Sequence, residues 1–139
     1  KLHIVTNSLG ASRDYLVFAA HARTCRDLAG LGAMIHLLPG PGSLHSKAII
    51  IDESVAIAGT LNFDPRSEFW NTESMVVVKE AKTARELLDV IRVQSRSSDL
   101  LGTDGASLTR VENPTLKVRM KKAFLPVLKL FSPLIRSFL

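Results

Sequence analysis

Leu44 to Glu73 reads LHSKAIIIDESVAIAGTLNFDPRSEFWNTE. The β-branched run Lys47 to Ile51 has the composition of a buried strand, Asp52-Glu53-Ser54 that of a polar turn, and Val55 to Ala58 that of a returning strand. Together they predict a β-hairpin. In an extended chain residues i and i+2 share a face. His45 and Lys47 therefore project together, an imidazole beside an ammonium, which suits an anionic phosphoryl group better than an apolar core. In Gly59-Thr60-Leu61-Asn62 the glycine lets backbone approach a ligand closely, and the hydroxyl and carboxamide can hydrogen-bond phosphate oxygens. After an irregular segment containing Pro65, Asn71 to Val78 reads as a third strand with Glu73 near its start.

A phosphodiester resists attack because it is anionic. A site that cleaves one must neutralise charge, supply a nucleophile and protonate a poor leaving group. Histidine can be nucleophile or acid near neutral pH, but one histidine cannot hold both roles in the same step. The motif is thus half of an active site, and no second copy occurs: neither His21-x-Arg23 nor His36-x-Leu38 repeats it.

Upstream, Leu2 to Ser8 predicts a strand ending in Thr6-Asn7-Ser8-Leu9-Gly10. Ser12 is placed to cap a helix from about Arg13 to Leu31, with Tyr15, Phe18, Ala22, Cys25 and Ala29 at helical spacing and Gly30 and Gly32 at its end. Met34 to Leu38 predicts the next strand, and the strand-helix-strand order predicts a parallel crossover. Pro39-Gly40-Pro41-Gly42 is a loop that delivers His45. Downstream, Thr83-Ala84-Arg85-Glu86 reads as a capping box opening a helix to about Ser97, with Leu87, Leu88 and Ile91 inward. Arg96 to Gly105 reads as an exposed loop and Ala106 to Val111 as a short last strand.

The 139 residues are 46% apolar, enough for one domain with a core. Lys1 opens directly into a strand without an initiator methionine, and the expectation is a fragment whose upstream half is missing. The net charge of +5 is unevenly spread. From Asn113 to Leu139 there are Lys117, Arg119, Lys121, Lys122, Lys129 and Arg136 and no acidic residue, which leaves the first 112 residues at −1. A near-neutral catalytic portion argues against nucleic acid as partner. The single Cys25 forms no internal disulfide and reads as an inert core thiol, while no Cys/His spacing fits zinc. His3, His21 and His36 read as structural or surface residues. Trp70 fits the site mouth, a membrane interface or simple packing.

In the tail, Lys117, Lys121, Lys122, Lys129 and Arg136 fall on one side of a helical wheel and Phe124, Val127, Phe131, Leu134 and Phe138 largely opposite. Its apolar run Ala123 to Leu128 is far below the roughly 20 residues a bilayer span takes, and Pro126 and Pro133 break a straight helix. The expected form is a broken amphipathic segment on anionic lipid, with packing against a missing half as the alternative.

The pattern His45-x-Lys47-x4-Asp52-x6-Gly59-Thr60-x-Asn62 resembles the HKD signature of the phospholipase D superfamily. The flanks Thr6-Asn7-Ser8-Leu9, Leu61-Asn62-Phe63-Asp64-Pro65-Arg66-Ser67 and Asn71-Thr72-Glu73, with the basic-apolar C-terminus, resemble the C-terminal half of bacterial cardiolipin synthases of that type. The resemblance implies an α/β fold, a mixed sheet flanked by helices that forms one half of a two-half catalytic fold. Residues 1–112 would be the catalytic half-domain and 113–139 a basic amphipathic segment. It implies a catalytic set of His45, Lys47, Asp52 and Glu73. His45 would be nucleophile or general acid, Glu73 would hydrogen-bond the catalytic imidazole, and Asp52 would organise the turn. Lys47, Thr60 (in place of the usual serine) and Asn62 would bind phosphate. From the residues themselves, Arg66, Ser67 and Asn71 fit headgroup or phosphate contacts and equally well loop capping. No metal or cofactor is implied. The implied partners are phospholipid, an anionic bacterial inner membrane, and a missing N-terminal half carrying a second HKD motif, or a second copy in a homodimer. The implied reaction is transfer of a phosphatidyl group between phospholipids through a phosphohistidine, with a homodimeric phosphodiesterase or nuclease as the alternative.

Overall fold

A computed structural model describes residues 1–12, 15–40, 42–101, 119–120, 122–127 and 130. These fall into two compact units, one built from Lys1–Leu44 with the described residues from Ser97 on, the other from His45–Arg96. The mixed α/β class expected from the sequence is present, but as two three-stranded sheets and not one.

In the first unit β1 (His3–Asn7), α1 (Tyr15–Gly30) and β2 (Met34–Leu38) form the expected crossover, with β1 and β2 parallel from His3↔Met34 to Asn7↔Leu38. On β2 the alternation buries Ile35 and Leu37 and leaves Met34, His36 and Leu38 half-buried. On α1 the buried stripe is Phe18, Ala19, Ala22 and Cys25, which meets Leu9, Ile35 and Leu37 in one core. The helix ends where the glycines indicated. Gly32 at φ +92 accepts the left-handed geometry, its N–H donates to Ala29 O (2.9 Å), and Ala33 N–H donates to Leu28 O (3.0 Å), the paired closure of a Schellman turn.

The segment after Arg96 departs from the expected loop. Asp99–Leu100 is a short strand, antiparallel to β2 through Leu37↔Asp99 and His36↔Leu100, and Leu101 N–H donates to Ile35 O at 2.9 Å. Two residues are too few to show a period in the sequence. What selects them is the free edge of β2, whose backbone groups need partners. The expected strand at 106–111 and most of the tail lie outside the described residues. Within the tail, residues 122–127 are helical, so the helix runs through Pro126. Leu125 is 4% exposed in the core of this unit, whereas Phe124, Val127 and Leu130 are exposed.

In the second unit β3 (Lys47–Ile51), β4 (Val55–Gly59) and β5 (Met75–Val78) form an antiparallel meander in sequence order. The hairpin turn places Asp52 (φ 48) and Glu53 (φ 53) in left-handed conformation and closes with Ser54 N–H donating to Ile51 O at 3.0 Å. This is the primed twist that suits a hairpin, and Asp is among the residues that adopt it most readily. Asp52 thus occupies the turn in left-handed backbone conformation. α3 (Ala81–Ser95) packs on β3 and β4, burying Ala84, with Ala56 buried on β4 and Leu87, Leu88 and Ile91 half-buried.

Three boundaries in this unit are corrected. The segment containing Pro65 is a helix, α2 (Pro65–Phe69); since α2 precedes β5 in the chain, α3 is the third helix. Proline is well suited to the first helical position because its missing N–H has no partner there to lose, and Asp64 caps the helix by accepting from Ser67 N–H at 2.8 Å. β5 starts at Met75, so Asn71 and Glu73 precede the strand. Thr83 is inside α3 and does not cap it: Glu80 is the cap, its carbonyl accepts from Ala84 N–H at 3.0 Å, and Thr83 Oγ1 donates to its carboxylate.

Candidate active site

Period 2 along β3 and the observed register decide what surrounds the motif. Lys47 lies opposite Gly59, and Gly59 opposite Met75, so all three share one face with Ile49, Ile57 and Val77. The opposite face carries Ala56, the strand residue buried in this unit. At the start of β3 the lysine folds back over the histidine. Lys47 Nζ donates to His45 O at 2.8 Å and stands 3.4 Å from Nδ1 and 3.3 Å from Nε2 of the imidazole. Imidazole and ammonium therefore do converge, on an exposed His45 and a half-buried Lys47.

The floor beside them is the β4–β5 end. Thr60 N–H donates to Ser74 O and Ser74 N–H to Thr60 Oγ1, each at 3.0 Å. Thr60 Oγ1 donates in turn to Glu73 Oε2 at 2.5 Å, and Asn71 Nδ2 to Glu73 Oε1 at 3.1 Å. Gly59 makes this closure feasible, because a β-carbon there would lie 2.1 Å from Ser74 O and 2.5 Å from Met75 Sδ. Hydrogen bonds from Thr60, Asn71 and Ser67 hold the Glu73 carboxyl below its ordinary value, and the positive charge of Lys47 acts in the same sense. Glu73 is therefore an anion near neutral pH, able to accept a proton's hydrogen bond but not to donate one.

Not every site residue is where the resemblance implied. Among the described residues Glu73 accepts hydrogen bonds from Thr60, Asn71 and Ser67, and none from His45. Ser67 is 3% exposed, with its N–H committed to Asp64 and its Oγ accepting from Asn62 Nδ2 at 3.3 Å, so it orients Asn62 from beneath. Asn71 likewise turns toward Glu73. Arg66 and Asn62 are exposed, and Asp52 sits at the far end of the hairpin, five residues beyond Lys47, where β3 begins.

One long-range contact of the first unit was missed by the sequence reading. Asn7, at the end of β1, grips the peptide of Leu44, the residue before His45. Its Oδ1 accepts from Leu44 N–H at 2.8 Å and its Nδ2 donates to Leu44 O at 2.9 Å, with Ser43 Oγ at 3.4 Å. The partners are 37 residues apart, and the sequence signals were the position of Asn7 at the end of a strand and its place in the flank Thr6-Asn7-Ser8-Leu9.

The other histidines are structural, as expected. His3 Nδ1 and His36 Nε2 are 3.2 Å apart with ring centres 5.5 Å apart, an edge-to-edge hydrogen bond between nearly coplanar rings; burial and then the neighbouring His3 lower the pKa of His36. His21 Nε2 meets Thr6 Oγ1 at 2.9 Å and Cys25 Sγ at 3.2 Å, and burial lowers its pKa. Burial pushes the Cys25 thiol up to about 11, which keeps it protonated and unreactive. Among the described residues no group of three or more His, Cys, Asp and Glu is placed to hold a metal, and no helix is long and apolar enough to cross a membrane.

A family model described as cardiolipin synthase, phospholipase D-like domain matches residues 1–92. Cardiolipin synthase C of Escherichia coli K12 is 33% identical over 113 residues, 69% of this chain and 24% of that protein. The minor cardiolipin synthase ClsB of Bacillus subtilis 168 is 40% identical over 60 residues, 43% of this chain and 15% of that protein. A Helicobacter pylori 26695 protein of undescribed activity is 30% identical over 100 residues, 63% of this chain and 20% of that protein. The chain thus spans about a quarter or less of the length of these relatives.

Proposed function

We propose, from the premise that this chain belongs to the cardiolipin synthase, phospholipase D-like domain family of the phospholipase D superfamily, that it supplies one half of a phosphatidyltransferase site. The observation that carries the reading is the convergence of Lys47 Nζ on His45, 3.3 to 3.4 Å from both ring nitrogens, at the open end of the hairpin. The ammonium offsets the charge of the phosphodiester where the imidazole reaches it, and Asn62 and Thr60 offer hydrogen bonds to its oxygens.

The complementary half supplies a second histidine. One imidazole attacks phosphorus, forming the P–N bond as the P–O bond to the leaving glycerol breaks, and the other gives that oxygen its proton. The second imidazole then takes the proton from the hydroxyl of an incoming phospholipid, which attacks phosphorus and releases the first. His45 takes one of these two roles. Glu73, anionic and anchored by Thr60 and Asn71, holds the β4–β5 end of the site and stabilises positive charge on the imidazole–ammonium pair across it. Phosphatidylglycerol as donor and cardiolipin as product are the finer part of the proposal, as is action at the surface of the bacterial inner membrane.

The test is lipid product analysis by mass spectrometry with phosphatidylglycerol vesicles, using the chain alone and joined to the upstream sequence of its native protein. Cardiolipin from the joined protein, lost in His45→Ala and strongly reduced in Lys47→Ala, is the expected result. Phosphatidic acid alone would replace transfer with hydrolysis. No lipid product from a folded joined protein, with cleavage of DNA or RNA by a dimer, would overturn the reading in favour of a nuclease.

A further inference from the structure

Three large aromatic side chains of the second unit stand in water beside the candidate site: Phe63 is 91% exposed, Phe69 71% and Trp70 76%. Phe63 precedes α2, Phe69 is its last residue and Trp70 follows it; the helix's five residues span only about 7.5 Å. The local structure explains why they are not folded inward. Phe63 precedes the Asp64 cap, where an apolar residue ordinarily packs on the fourth helical residue, but that residue is the exposed Glu68. Phe69 and Trp70 end the helix, and the one buried residue of α2 is Ser67. Three rings exposed to this degree amount to roughly 400–500 Å² of apolar surface, comparable to the largest patch on an ordinary monomer.

We infer that Phe63, Phe69 and Trp70 form a docking surface that seats the candidate site on the headgroup and upper acyl region of a phospholipid bilayer. The inference rests on the proposed function, and names the surface on which that site would work. Its placement favours a bilayer over a protein partner. Phe63 directly follows Asn62 and Trp70 directly precedes Asn71, both exposed, so whatever brings a phosphate to these carboxamides also meets the rings. A phospholipid phosphate is bounded on one side by water and on the other by acyl chain. Exposed Phe and Trp side chains with the exposed Arg66 between them in sequence have the chemistry of that boundary: rings for the acyl region and a guanidinium for the phosphate.

Trp70 is the sole tryptophan of the chain and so reports on this surface alone. The experiment mixes the full 139-residue chain with vesicles of phosphatidylglycerol and phosphatidylcholine, with and without lipids brominated near the top of the acyl chain. The expected result is a blue shift of Trp70 emission and its quenching by the brominated lipid, with no such change on adding soluble glycerophosphoglycerol. The double variant Phe63→Ser/Phe69→Ser, with an unchanged far-UV circular dichroism spectrum, should partition to vesicles at least about tenfold more weakly.

Vesicle binding that leaves Trp70 unshifted and unquenched would overturn the inference and assign binding to the basic tail. A Trp70 already shielded without lipid, accompanied by a doubled mass in solution, would overturn it in favour of a second copy. Since the readout needs no turnover, His45→Ala should insert as the native chain does. Insertion without any lipid product would leave this surface standing while the proposed reaction fell, and cardiolipin formation without Trp70 insertion would do the reverse.

Discussion

Gly59→Ala is the substitution with the most calculable consequence. A β-carbon at this position would stand 2.1 Å from Ser74 O, 2.5 Å from Met75 Sδ and 2.9 Å from Met75 Cα. The Met75 thioether can rotate away, but the Ser74 carbonyl is backbone and must move by about 1 Å to reach ordinary contact, which for carbon and oxygen lies near 3.3 Å. That movement opens the β4–β5 end and strains the two bonds linking Thr60 with Ser74, each 3.0 Å long. Overpacking of this kind costs about 1–3 kcal/mol and each weakened hydrogen bond about 0.5–1.5 kcal/mol, so with two such bonds the expected loss is roughly 2–6 kcal/mol. Urea unfolding followed by far-UV circular dichroism measures it. Gly30→Ala is the control, because nothing lies within 4 Å of a β-carbon there and its helical position predicts a change between zero and about 1 kcal/mol of added stability. A Gly59→Ala protein within about 0.5 kcal/mol of the native one would refute the close approach and, with it, the account of how Thr60 and Glu73 are held.

Asn7→Ala removes the clamp on the Leu44 peptide and leaves a part-buried N–H and C=O without their partner; the expected loss is about 1–3 kcal/mol, measured by urea unfolding. For Glu73, the folded carboxyl lies below its ordinary value of 4.5, so its contribution to stability is complete above about that pH and is lost as pH falls through the lower folded value. Thermal unfolding from pH 7 down to pH 3 should therefore show a decline in native stability below about pH 4.5 that is shallower in Glu73→Gln; parallel curves for the two proteins would contradict the hydrogen-bond network. The same sign makes the carboxylate insensitive to pH between 6 and 8, so any activity change in that range must come from other groups.

Much of this site was written into local sequence. The hairpin over Lys47–Gly59, the convergence of His45 with Lys47 and the turn at Asp52 follow from a period of two and from turn chemistry, which act over a few residues. The end of α1 at Gly32 is equally local. Family membership was also legible, because the motif is a set of residue types at fixed spacing. Other features were settled only where distant segments met. The clamp of Asn7 on Leu44 spans 37 residues, and the short strand Asp99–Leu100 exists because the edge of β2 needed partners 62 to 64 residues away. α2 is too short to show periodicity, so only its Asp64 cap and proline start reveal it in the structure. Glu73 illustrates the division most clearly: its identity was legible, but its partners depend on how closely β4 and β5 approach at Gly59. Propensity and periodicity are short-range properties of the chain, whereas a hydrogen-bond partner is decided by whichever group the folded backbone brings within about 3 Å.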